Sequence, residues 1–190
     1  MKHLYTKIFL FIIIILSLSS CNNQKKEIKV IVTDYYSSLK KGDLDRMLKL
    51  FSVDIKLSYD NLYKDNAELK KFTGDTLKIT GDYFDFEIIK IKIKDKKAVV
   101  TIKETGLDQN VLADKMKEIT EKKPFTPSNP NDYEKVKEEL ATYQMTLLTE
   151  AAKEVKLKKT TTTELRLEKE KSGWVITTKD LLRVIPKEDN

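Results

Sequence analysis

The sequence predicts an α+β domain, an antiparallel sheet of about four strands packed against helices. Two rhythms and one interruption predict it. Apolar residues recur at helical spacing early in the chain and again in its middle. In two later stretches they alternate with a period of two, and a proline-rich loop splits the second helical block. Helices and hairpins that come in separate groups imply a sheet covered on one face.

The first segment stands outside that domain. Lys2, His3 and Lys7 give a basic start, and an unbroken apolar run follows from Ile8 to Leu16. A membrane-spanning helix needs about 20 mainly apolar residues. This run is too short, and it reads as a secretory signal peptide over residues 1–20. Leu18-Ser19-Ser20-Cys21 resembles the lipobox of bacterial lipoproteins. The resemblance implies cleavage just before Cys21 and a diacylglyceryl group, carrying acyl chains such as palmitate, on its thiol. Two chains anchor stably where one is marginal. The plainer alternatives are a leftover thiol in a secreted protein and an uncleaved helical anchor, but an unpaired cysteine in an exported chain needs a role. Residues 21–26 then read as the lipidated cysteine and a polar tether, and residues 27–190 as the folded domain. The expected address is the bacterial cell envelope, outside the cytoplasm, with the lipid membrane as partner through Cys21.

Within the domain, Ile28, Val32, Tyr35 and Leu39 trace one face of a helix. Gly42 suits its left-handed end and Asp43 the cap of the next helix, which carries Leu44, Met47, Leu48 and Phe51. Ile55, Tyr59, Leu62, Leu69 and Phe72 fit a helix best, with a strand still open. Phe84, Phe86 and Ile88 then alternate with acids, and Ile89, Ile91 and Ile93 alternate with lysines. A period of two cannot change phase without an extra residue, so a bulge is expected near Ile88 and Ile89. Asp95 to Lys97 turn the chain into a partner strand, Ala98 to Glu104. Leu112, Met116 and Ile119 return to helical spacing. The stretch 122–132 is a loop with three prolines, and a long helix runs from Tyr133 to Val155. Two strands close the chain, Lys156 to Glu170 and Trp174 to Ile185. The outer face of the sheet is expected to set Lys90, Lys92 and Lys94 opposite strands carrying Glu164, Arg166 and Glu168.

Composition removes many chemistries. The chain has 36 basic residues, 30 acidic ones and one histidine. Removing residues 1–20 takes Lys2, His3 and Lys7 with them and leaves a net charge of about +4. Only Arg46, Arg166 and Arg183 are arginines, and the lysines are interleaved with acids, so no nucleic-acid partner is expected. Without histidine or a free thiol, Cys/His zinc sites and histidine-assisted nucleophiles are excluded. The glycines fit no phosphate-cradling spacing. No cofactor and no metal site are expected.

Tyr35 to Phe51 (YYSSLKKGDLDRMLKLF) resembles the opening helices of the nuclear-transport-factor-2-like, or cystatin-like, superfamily, and Ser172 to Thr177 (SGWVIT) is similar to its late strand. The segment Gln109 to Val155 departs from the simplest family pattern and reads as a helical insertion. The resemblance implies a curved sheet and a long first helix forming a cone that holds a small ligand, a partner protein or, in isomerases and dehydratases, a substrate. Asp34, Asp60, Asp82 and Asp85 each lie near a tyrosine in sequence, but aspartates at turns and helix edges are ordinarily solvated. The expectation is a non-catalytic binding or structural domain for an envelope protein or small ligand, with no catalytic residue and with Tyr35, Phe86 and Trp174 lining any pocket. The alternative is an isomerase- or dehydratase-like enzyme using an Asp/Tyr pair. A carboxylate within hydrogen-bond reach of a tyrosine, in a closed pocket, separates the two.

Overall fold

The computed structural model describes the backbone of residues 2–178 and the side chains of residues 22–178. The side chains of residues 1–21, with the modification of Cys21, and the chain beyond Thr178, including most of the expected Trp174–Ile185 strand, lie outside what is described. Helix α1 spans Lys2–Lys41, so Asn22 to Lys26, expected as a tether, continue the helix that enters the domain. Ile28, Val32, Tyr35 and Tyr36 recur every three or four residues and are buried. The helix ends in a Schellman turn: Gly42 takes φ 67°, and the Asp43 amide donates to the Ser38 carbonyl at 2.9 Å. Asp43 then caps α2 (Leu44–Leu48) by accepting from the Arg46 amide.

Residues 55–72 are helical, yet they do not form one helix. α3 (Val53–Tyr63) and α4 (Ala67–Gly81) meet at a break where Asn66 caps α4 through its side chain. An Asx cap gives the backbone an alternative to continuing the preceding turn, so the helix breaks there although the apolar spacing carries across.

Strands β1 (Asp85–Lys94), β2 (Lys97–Leu107), β3 (Lys158–Glu170) and β4 (Gly173–Ile176) form one antiparallel sheet in chain order. The register of β1 on β2 shifts between Ile88 and Lys90, where the bulge was expected. The lysines of the outer face do not meet β3 directly. β2 intervenes, so Lys90 opposes Thr101 and Lys92 opposes Val99, while Glu164 and Arg166 pair with the same two β2 residues from the other side. The sole ion pair across these outer positions among the described residues is Lys97 with Glu168, at 3.3 Å.

The inner face carries Ala98, Val100, Ile102, Leu165, Leu167, Trp174 and Ile176, all buried beneath α1 and α2. β4 is stitched to the chain after α2 by Ile176 and Leu50 and by Ser52 and Ile176. The inserted pair, α5 (Gln109–Lys122) and α6 (Tyr133–Glu154), does not cover the sheet. Leu112, Ile119, Leu147 and Ala151 pack with Leu107, Ile79 and Tyr83 into a second core, against the end of α4.

Candidate functional site

β2 alternates from Lys97 to Lys103, and the period of two carries Glu104 onto the same inner face as Ala98, Val100 and Ile102. Its cross-strand neighbours are Phe86 on β1 and Thr161 on β3. From α1, Tyr36 reaches down to this position and donates its phenolic hydrogen to Glu104 Oε1. The Tyr36 ring lies nearly parallel to Phe86, with centroids 4.3 Å apart, and to Phe84, at 5.6 Å. Tyr35 meets Tyr36 edge-on at 4.9 Å and Phe51 at 5.9 Å. A carboxylate and a phenol are therefore held together inside an aromatic cluster.

Burial dominates the electrostatics. It pushes the Tyr36 phenol well above the ordinary tyrosine range, and the bond to Glu104 with that carboxylate's charge adds to the rise; the Thr163 hydroxyl works weakly the other way. Tyr35 is raised too, by burial first and then by the charge of Glu104. Both phenols stay protonated throughout the physiological range. Tyr36 is thus a hydrogen-bond donor with its proton already committed, and not a base.

Sequence proximity pointed to the aspartates, and the structure puts them elsewhere. Asp34 lies on α1 in an ion pair with Arg46, at 2.7 Å. Asp60, Asp82 and Asp85 are exposed, and Asp85 accepts from the next backbone amide, that of Phe86. The partner that matters, Glu104, was missed. Its signal was present: a carboxylate in phase with Ala98, Val100 and Ile102 belongs to the covered face.

Tyr35 is 1% exposed and Trp174 4% exposed, while Phe86 is half-buried. Tyr35 and Phe86 both contact Tyr36, whereas Trp174 sits at the other end of the inner face, under the Lys169 ammonium at 5.7 Å. Three hollows stand out on the described surface. One runs along the outside of α1 by Val30 and Arg46, one lies between α6 and the loop after α5, and one lies between the β1–β2 and β3–β4 turns. None is lined by Tyr35, Tyr36, Phe86, Glu104 or Trp174. Among the described residues no three His, Cys, Asp or Glu side chains gather as a metal site. No helix among them is long and apolar enough to cross a membrane.

No protein-family model matches the chain, and no curated protein matches it. Two crystal structures share features of its shape. One is a proposed dehydratase of the nuclear-transport-factor-2-like family from Streptomyces avermitilis, 12% identical, with a TM-score of 0.41 over 82% of this chain and 92% of that one. The other is a proposed lipoprotein, ycdA, from Bacillus subtilis, 19% identical, with a TM-score of 0.37 over 82% of this chain. The chain spans 44% of that second protein. Both likenesses are distant in sequence and in shape, and no role is transferred from either.

Proposed function

We propose that this chain is a lipid-anchored domain of the bacterial envelope that acts by binding or as a structural element, and not by catalysis. The anchor rests on Leu18-Ser19-Ser20-Cys21 and the short apolar run before it. The non-catalytic part rests on one observation: the inner carboxylate, Glu104, is already bonded to Tyr36 beside stacked aromatic rings. A general acid or base must come within hydrogen-bond reach of a bound substrate. Here Phe84 and Phe86 stack on the Tyr36 ring beside the carboxylate.

The second reading has one observation in its favour. Glu104 beside Tyr36 is the carboxylate–phenol combination that an isomerase- or dehydratase-like site would use, with glutamate where aspartate was expected. The two readings part on a titration of the carboxylates by NMR. A glutamate or aspartate titrating above roughly pH 6 would promote the enzyme. The anchor is tested by intact mass: membrane-extracted protein should carry two or three acyl chains on Cys21, and Cys21→Ala should abolish them. An unmodified thiol would remove that half of the reading.

A further inference from the structure

We propose that the end of the domain nearest Cys21 is a cationic face that rests on the headgroups of an anionic lipid bilayer. It builds on the lipid-anchored reading above. Three elements that are far apart in sequence converge on this end. Tyr36 on α1 meets Glu104 opposite Thr161, and Glu27 on α1 meets Lys169, with 3.6 Å between the charged atoms. β3 therefore runs toward the start of α1, and its turn at Lys171 and Ser172 extends further in the direction of Cys21. The β1–β2 turn lies alongside, because the Lys169 amide donates to the Lys96 carbonyl at 2.8 Å.

Each element brings lysines. α1 contributes Lys25, Lys26 and Lys29, all exposed. The two turns contribute Lys96, Lys97, Lys169 and Lys171, and a hollow of about 650 Å³ opens between them, lined by Lys96, Lys169, Glu170, Lys171 and Ser172. The facing acids are Glu27, Asp95, Glu168 and Glu170. Two of these are already engaged, Glu27 with Lys169 and Glu168 with Lys97. Lys25, Lys26, Lys29, Lys96 and Lys171 make no ion pair with a described residue, against Asp95 and Glu170, so the face carries surplus positive charge.

The anchor decides what such a face meets. α1 is continuous from residue 21 onward, so Lys25 stands about 6 Å and Lys29 about 12 Å along the helix from Cys21. Attraction between basic residues and an anionic leaflet acts within a Debye length, about 8–10 Å at moderate salt. A helical connection keeps Lys25 and Lys26 inside that range of Cys21, and the Lys169–Glu27 pair brings the two turns to the same end, which a long flexible tether would not.

The test is amine labelling of the full chain, purified from membranes and reconstituted in phosphatidylcholine vesicles or in vesicles rich in phosphatidylglycerol. Labelling of Lys96 and Lys171 should fall about threefold in the anionic vesicles and recover at high salt. Lys122 and Lys159, remote from this end, should not change. With Lys96→Glu and Lys171→Glu combined, the protection at Lys25 and Lys26 should weaken. Equal labelling in both vesicle types, or protection that ignores salt, would overturn the proposal. Intact mass of the same sample reports on Cys21 separately, so a missing acyl group sinks the anchor reading while the labelling still decides the face.

Discussion

A Cβ built on Gly42 would meet the carbonyl oxygen of Gly74 at 2.1 Å, so the end of α1 and the middle of α4 touch backbone to backbone. The contact requires glycine at position 42 twice over, once for space and once for its φ of 67°. A little further along, Gly81 lies equally tight against Lys40, where a Cβ would come within 2.5 Å of the carbonyl oxygen. These approaches fix α4 against α1, and the α5–α6 pair packs on α4 in turn. Gly42→Ala should cost about 2–5 kcal/mol, combining overpacking with a strained left-handed residue. Gly42→Asn, which tolerates the left-handed region, should recover little. Urea denaturation checks both, and a full recovery by asparagine would show that conformation, and not space, governs the position.

The Tyr36–Glu104 bond yields a double-mutant cycle. Tyr36→Phe leaves a half-buried carboxylate without its donor and should cost about 1–3 kcal/mol. Glu104→Leu alone should cost a similar amount by stranding the phenol. The two together should cost less than the sum, because neither polar partner is then left unpaired. Strict additivity in the same denaturation assay would mean that the bond does not form in solution.

Alkaline pH offers an independent view of the two phenols. Their folded pKa values lie above the unfolded value of about 10, because burial and the Glu104 charge oppose the phenolate. Below pH 10 both states hold these protons and nothing changes. Above it the unfolded state gives them up first, so stability falls by about 1.4 kcal/mol per pH unit for each buried phenol. Phenolate absorbance should show Tyr35 and Tyr36 silent until the chain unfolds. With Tyr36→Phe the silent population should shrink by one tyrosine.

The parts of the fold that follow from local rhythm were legible in the sequence. The phase flip at Ile88 and Ile89 located a bulge, but Ile89, grouped by spacing with Ile91 and Ile93, is the residue left out of the pairing and is 53% exposed. Gly42 and Asp43 marked a helix end and the next cap. What depended on partners was not legible. The strand order had to be known before Lys90 could be placed opposite Thr101 and not beside Glu164. The break at Asn66 was hidden because apolar spacing resumes after it. Glu104 was hidden for another reason. Neighbours of tyrosine along the chain were weighed, whereas the true neighbour is supplied by a strand 68 residues away.

Trp174 lies on the covered face of the sheet, 4% exposed. It pairs across strands with Lys169, whose ammonium also meets Glu27, so the indole stands beneath the link between β3 and the start of α1. Its Nε1 donor is buried without a hydrogen-bond partner among the described residues. The indole therefore contributes through buried area, shape and the Lys169 ammonium over its face, not through its N–H. Trp174→Ala should cost about 3–5 kcal/mol through the cavity it leaves. Trp174→Phe should cost clearly less, since it keeps an aromatic ring and removes the unpaired donor. As the only tryptophan, it reports on one place: emission of the native chain should be well to the blue of free tryptophan and shift red on unfolding. Emission like that of free tryptophan before denaturant is added would mean that β4 presents its other face.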